Sequence, residues 1–266
     1  MKARLKALLP YYGGKSKLVP TLLQLIPPSH ITYAEPFSGG AALFFAKDPS
    51  AIEVINDTNK ELINFYCVVQ QDFVRLEKMI RSTLHSRSLH ADASVIYNNP
   101  HLFDEVKRAW AVWVLAIQSF ASIIDASWGY DKNNKNTSTK KISNRRERFT
   151  ELYAIRLQNV QLECADALYI IRSRDTKEAF FYCDPPYFNS DCGHYKGYTE
   201  ADFERLLLQL SKIQGKFLLS SYPSDILEKY KNQFGWYQRS IEQGVSINKG
   251  YSGKKKVEVL TANYEI

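Results

Sequence analysis

No apolar stretch of the 266-residue chain approaches the roughly 20 residues needed to cross a bilayer as a helix, so a membrane-spanning protein is not expected. Lys2, Arg4 and Lys6 precede only Ala7-Leu8-Leu9 before Pro10, too short an apolar run for a secretory signal. The four cysteines (Cys67, Cys164, Cys183 and Cys192) show no CxxC spacing, and the five histidines no H-x-x-x-H spacing. Neither a metal site nor a disulfide framework is expected; reduced thiols point to a cytoplasmic location. The phosphate-cradling pattern G-x-x-x-x-G-K-[ST] is absent, and no internal repeat recurs at a fixed period.

What is present suits a folded protein with a sizeable core, since 45% of the residues are apolar and 13% aromatic. The formal charge is +7, which favours a polyanionic partner without identifying one. Residues 16–26 read as a helix with Pro20 near its start, stopped by Pro27-Pro28. Ile31–Ala34 is a short strand running into Pro36-Phe37-Ser38-Gly39-Gly40, with a helix expected over Ala41–Lys47. Ile52–Ile55 is a second strand, ending in Asn56-Asp57, and a helix should follow from Asn59 to about Gln71. Strand, glycine turn, helix, strand and acid is the order of a βαβ unit in a parallel sheet.

Residues 73–128 change character. Apolar and aromatic residues, among them Trp110, Trp113, Val114 and Ile117, recur at helical spacing without strand alternation. Residues 131–148 are polar and turn-rich, with seven Lys/Arg against Asp131 and Glu147, and read as a loop. Strand-like runs return at Val160–Cys164, Ala179–Cys183, Lys216–Ser220 and Lys256–Tyr264, and 244–256 reads as a hairpin. The expected organisation is one α/β domain, 1–72 with 151–266, interrupted by a mostly helical insertion at 73–150.

The strongest chemical signal is Phe180-Phe181-Tyr182-Cys183-Asp184-Pro185-Pro186-Tyr187. An apolar strand stops at an acid and two prolines, which cannot continue a ladder, and it does so at the carboxyl end where open α/β sheets place ligands. An exocyclic amine is a poor nucleophile because its lone pair is delocalised into the ring. A fixed carboxylate (Asp184) and a rigid carbonyl (Pro185) can accept both amino hydrogens and draw the nitrogen towards sp³, while Tyr187 offers a stacking face for an extruded base. An ordinary polar turn after a strand is the plainer alternative. Cys183 beside the acid reads as a buried structural thiol.

Gly39 and Gly40 in a strand-to-helix turn let backbone approach a ligand closely, although a Gly-Gly turn alone is a weak signal. Asp57 can take two ribose hydroxyls, as the acid of a dinucleotide-binding unit does; the alternative is an acid placed for the dipole of the following helix. The 131–148 stretch can be a solvated loop or a DNA-contacting segment, with Lys140, Lys141, Arg145 and Arg146 as its candidate phosphate contacts. The 244–256 hairpin, with Asn248 and Lys249, divides the same way.

Asp184-Pro185-Pro186-Tyr187 resembles the catalytic motif of amino-group DNA methyltransferases. With Tyr11-Tyr12-Gly13-Gly14-Lys15, Glu35-Pro36-Phe37-Ser38-Gly39-Gly40 and the closing Val257–Tyr264, the chain resembles the Dam-like (D12 class) adenine-specific group. The motifs fall in family order at both ends of the chain, and 73–150 contributes almost nothing to the match. The resemblance implies a Rossmann-like S-adenosylmethionine-dependent methyltransferase fold with a mostly helical inserted target-recognition domain. It implies S-adenosyl-L-methionine as methyl donor with no metal, and site-specific transfer to N6 of a flipped adenine in double-stranded DNA. Asp184, Pro185, Pro186 and Tyr187 would be catalytic. Tyr11, Lys15, Phe37, Gly39, Gly40, Asp57, Asp166 and Asp184 would bind the cofactor, with Asp166 equally readable as a helix cap. Relatives commonly carry a third glycine where this chain has Ala41. A cognate restriction endonuclease stands open as a partner, as do N4-cytosine methylation and a catalytically silent DNA-binding protein as alternative functions.

Overall fold

The computed structural model describes residues 4–132, 137–189, 197–244 and 255–266. Eleven α-helices and seven strands are assigned among them, and the strands lie in one sheet of order β3-β2-β1-β4-β5-β7-β6. The strands are β1 (Thr32–Glu35), β2 (Ile52–Asn56), β3 (Gln161–Glu163), β4 (Ala179–Cys183), β5 (Lys216–Ser221), β6 (Tyr237–Gly244) and β7 (Lys255–Ala262). Contacts group the chain into two compact units. One comprises Met1–Leu23, Ser38–Pro49 and Ile55–Cys164; the other comprises Gln24–Phe37, Ser50–Val54 and Ala165–Ile266.

In the second unit, β1 pairs in parallel with β4 (Thr32 with Ala179, Ala34 with Phe181), and β4 in parallel with β5 (Phe181 with Phe217, Cys183 with Leu219). Every residue of β1 and β4 is buried. Strands covered on both faces lose the polar alternation of a half-exposed sheet, which is why Ala-Phe-Phe-Tyr-Cys is continuously apolar. Phe181, Cys183, Phe217 and Leu219 share one core with residues of α9 (Ala167–Arg174), α10 (Glu200–Leu210) and α11 (Asp225–Phe234). β7 runs antiparallel to β5 (Ser221 with Val259, Leu218 with Ala262) and to β6 (Ile241 with Glu258).

The first unit is mostly helical. It holds most of α1 (Val19–Leu25), then α2 (Ala42–Ala46), α3 (Lys60–Gln71), α4 (Phe73–Ser82), α5 (Arg87–Asn98), α6 (Glu105–Gln118), α7 (Thr137–Arg148) and α8 (Leu152–Leu157). Helix α6 is its axis, buried continuously from Ala109 to Gln118. Asp104 caps α6 by accepting from the Val106 and Lys107 N–H groups, and Asn59 caps α3 in the same way. Where the two helices meet, the Arg108 guanidinium donates to both oxygens of Glu61, at 2.9 and 2.7 Å. This two-pronged bond satisfies both charges in a largely buried position.

Most expected elements form within a residue or three of their read limits. The exception is 131–148, read as a loop: Thr137–Arg148 is helical, while 133–136 lie outside the described residues. The composition hides this helix because Ile142 is its one buried residue. Its side chains instead bond within the unit, Lys141 to the Ser122 hydroxyl (2.9 Å), Arg145 to the Ala7 carbonyl (2.9 Å) and Arg146 to the Thr83 carbonyl (3.1 Å). Tertiary bonds thus support a helix that its own apolar pattern does not announce. Strand β6 was not expected, since the described side chains of this sheet-edge strand are largely exposed. Among the described residues no helix is long and apolar enough to cross a membrane.

Candidate active site

Because β1 and β4 are parallel neighbours, they release their following residues at the same end of the second unit's sheet. From β1 come Glu35, Pro36 and Phe37; from β4 come Asp184, Pro185, Pro186 and Tyr187. Pro185 is buried, while Asp184, Pro186 and Tyr187 are half-buried. The Tyr187 hydroxyl lies 3.2 Å from Asp184 Oδ1 and 2.9 Å from Glu258 Oε1. Burial, then Asp184 and Glu258 together, push the Tyr187 phenol well above its ordinary pKa. The Tyr222 ring meets the Tyr187 ring edge-on at 4.5 Å between centroids. Behind them Tyr182 and Ser220 share a buried hydroxyl–hydroxyl bond of 3.0 Å. Cys183 is fully buried, and burial pushes its thiol far up, as befits an inert packing group.

Phe37 is partly buried and packs on the same core as Ala165, Leu168, Phe188 and Tyr198. Asp166 is exposed and caps α9, accepting from the Tyr169 N–H at 3.1 Å. Its capping role is therefore real, and one bond of this kind leaves a carboxylate with further acceptor sites.

In the first unit the turn after Ser38 is tied at every peptide. Gly39 donates its N–H to Asp57 Oδ2 (3.0 Å) and accepts from the Tyr66 hydroxyl (2.7 Å), and Ala41 N–H bonds back to the Ser38 carbonyl at 2.6 Å. Asp57 Oδ1 accepts from the Asn59 N–H at 2.9 Å. Burial raises the Asp57 pKa, and the two N–H bonds pull it part of the way back. Gly39 adopts φ +45°, and a Cβ there would stand 3.0 Å from the Tyr11 ring. A Cβ on Gly40 would stand 3.1 Å from the Leu9 carbonyl oxygen. What the two glycines admit at close range is thus the Leu9–Tyr11 segment of the chain itself. Lys15 is buried and its ammonium donates to the Gly13 carbonyl at 2.9 Å.

Residues 11–243 match the D12 class N6 adenine-specific DNA methyltransferases. The chain belongs to that family. It is similar to the Type II methyltransferase M1.LlaDCHI of Lactococcus lactis subsp. cremoris, with 24% identity over 99% of this chain and 97% of that one. It is also similar to the Type II methyltransferase M.FokI of Planomicrobium okeanokoites, with 22% identity over 98% of this chain and 43% of that one. As a member of the D12 class it is an enzyme that transfers a methyl group to N6 of adenine in DNA, and S-adenosylmethionine is the donor that this family's activity implies. The residues present fit such a group. Asp57 holds each carboxylate oxygen on one backbone N–H, with lone pairs left for a diol. The buried Ser38 hydroxyl in the same turn has no hydrogen-bond partner among the described residues.

For this methyltransferase, the residues read as DNA contacts divide. Lys140 is exposed, whereas Lys141, Arg145 and Arg146 are half-buried and bonded within the first unit as described. Burial lowers the pKa of both Lys141 and Arg145. Asn248 and Lys249 lie outside the described residues. Glu258 is the residue at the acid cluster that was given no role from sequence; the signal for it was a lone acid inside the apolar run Val257–Ala262.

Ala41 sits in the left-handed region (φ 48°, ψ 43°). This conformation costs an L-residue roughly 1–2 kcal/mol, against the smaller unfolded-state entropy that alanine saves. Ala41→Gly is therefore expected to raise stability by about 0.5–1 kcal/mol, read as a higher urea midpoint at unchanged slope. Gly39→Ala is expected to lower it by about 1–2 kcal/mol or more. A lower midpoint for Ala41→Gly would show that the turn is not strained.

Proposed function

We propose that the enzyme methylates a specific adenine extruded from duplex DNA, with Asp184 and the Pro185 carbonyl accepting the two amino hydrogens. The observation that carries this reading is a half-buried carboxylate at the end of a fully buried strand, next to a rigid buried proline and within 3.2 Å of the Tyr187 hydroxyl. Acceptance of both hydrogens localises the nitrogen lone pair, and the Tyr187 ring offers a face on which the base can stack. S-Adenosylmethionine, when bound, supplies a methyl group on a positively charged sulfur. Asp57 is proposed to take the ribose hydroxyls, Phe37 to pack by the adenosyl group, and Asp166 to lie near its adenine. Tyr11, Lys15, Gly39 and Gly40 are assigned to the methionine end. No side chain of the protein is asked to form a covalent bond to the base.

The helices of 73–150 are proposed as the inserted target-recognition domain, leaving 1–72 and 151–266 as the catalytic, cofactor-binding domain. Both relatives are named Type II methyltransferases, which supports a site-specific enzyme with a cognate restriction endonuclease. Asn248 and Lys249, in the β6–β7 connection, are proposed as further DNA contacts. The exposed Lys140 is the cleanest phosphate contact on α7, with Lys141, Arg145 and Arg146 adding positive charge while anchoring the helix.

Asp184→Ala is expected to lower transfer of labelled methyl to DNA by about a hundredfold or more. It should leave S-adenosylmethionine binding measurable by calorimetry. Turnover retained at the wild-type rate would remove Asp184 from the mechanism. Lys140→Ala is expected to reduce the slope of log K for DNA binding against log salt by about 0.9, the share of one phosphate contact. Arg145→Ala should in addition lower the melting temperature, because it releases the Ala7 carbonyl. An unchanged salt slope for Lys140→Ala would return α7 to a purely structural role.

A further inference from the structure

Away from the acid cluster, the first unit carries an open groove of about 600 Å³ between α5 and the segment 125–128, with Arg87, Asn98, Asp125 and Trp128 among its lining residues. The Arg87 guanidinium lies 4.7 Å from the centre of the Trp128 ring and 5.6 Å from that of Tyr130, and the two rings stack on each other at 5.5 Å. Trp128 is itself fixed. Its indole N–H donates to Oε1 of the buried Gln118 at 3.2 Å, and the neighbouring Gly129 N–H bonds to the Gln118 carbonyl at 2.7 Å. The His85 ring, bonded to the Gly129 carbonyl at 2.9 Å, packs on Trp128 at 4.7 Å between centroids.

Stacking fixes the plane of a guanidinium but uses none of its five N–H donors. Arg87 is exposed and makes no hydrogen bond or ion pair among the described residues; the same holds for Asp125, exposed in the same groove. A rigid planar fork with its donors unspent suits a planar acceptor pair. A phosphate is the poorer match, because the Asp125 carboxylate would repel it. A base pair is the better one: in the major groove guanine presents O6 and N7 to a bidentate guanidinium, and the cytosine paired with it presents an amino group that a carboxylate accepts. We infer that Arg87 and Asp125 read one G·C pair of the recognition sequence, Arg87 through the guanine edge and Asp125 through the cytosine amino group, with Trp128 and Tyr130 holding the Arg87 plane. The inference deepens the assignment of 73–150 as the target-recognition domain and rests on it.

The test maps N6-methyladenine by single-molecule sequencing in methylation-free DNA treated with the full chain or with its Arg87→Ala, Arg87→Met and Asp125→Ala variants. The native enzyme is expected to require a G·C pair at a fixed distance from the target adenine. Arg87→Ala should lower discrimination at that pair alone by about ten- to a hundredfold. Arg87→Met, which keeps an apolar stem against Trp128 but has no donors, should do the same, and Asp125→Ala should relax the same pair by a smaller factor. The affinity for S-adenosylmethionine and the slope of log K for DNA binding against log salt should stay at their native values. A native recognition sequence without a G·C pair would overturn the inference, as would Arg87 variants with unchanged preference. So would a reduced salt slope with equal loss on every sequence, the mark of a phosphate contact. If Arg87→Ala fails to fold, Arg87→Met decides alone by the same criteria. Methylation by the native chain without any sequence preference would remove the target-recognition assignment and this inference with it, an outcome distinct from a site-specific enzyme indifferent to Arg87.

Discussion

The parallel pairing of β1 with β4 is the constraint on which the second unit's chemistry depends. Parallel neighbours deliver their carboxyl ends to the same edge of a sheet, so Glu35-Pro36-Phe37 and Asp184-Pro185-Pro186-Tyr187 leave together. The prolines then do what no other residue could. They end the ladder at Asp184 without leaving an unpaired backbone N–H, and they present the Pro185 carbonyl from a stiff segment. A carboxylate and a carbonyl held by a fully buried strand cost little reorganisation when an amine arrives, and preorganisation of that kind is where catalysis without covalent intermediates must come from.

Around that edge the protein places tyrosines against buried acids. Tyr187 reaches Asp184 and Glu258, and Tyr33 donates to the buried Glu35 at 2.6 Å. A phenol is a good partner for a buried carboxylate: it supplies a hydrogen without a second charge, and burial makes it harder to ionise. Both tyrosines have pKa values well above normal, with burial as the leading cause and their acid neighbours next. The first unit solves a different problem with backbone alone. Gly39 and Asn59 N–H groups grip the Asp57 carboxylate, and in the same turn Gly39 and Ala41 both adopt positive φ, a conformation that suits the glycine and strains the alanine.

Much of this was legible in the residues. The run Ala179–Cys183 followed by Asp-Pro-Pro-Tyr announced both the strand and its stop, and Asn59 announced the start of α3. The functional segments were readable because proline, glycine and acid sit where the backbone changes state. What escaped was set by tertiary contact. Helix α7 has one buried residue and is tied by side-chain bonds to Ala7, Thr83 and Ser122, none of them near it in sequence. Glu258 shows in the sequence only as a lone acid in an apolar run; its bond to Tyr187, 71 positions away, is set by the tertiary fold. The glycine pair, read as a place where backbone can approach a ligand, also packs closely against Leu9 and Tyr11.

The acceptor pair proposed for Asp184 and the Pro185 carbonyl would suit an exocyclic amine, and the D12 class membership names adenine as the base that carries it. The most direct measurement is mass-spectrometric nucleoside analysis of methylation-free DNA after incubation with the protein and S-adenosylmethionine. N6-methyladenine should be the one modified nucleoside to appear. N4-methylcytosine in its place, or a ring-carbon methylated base, would contradict the account.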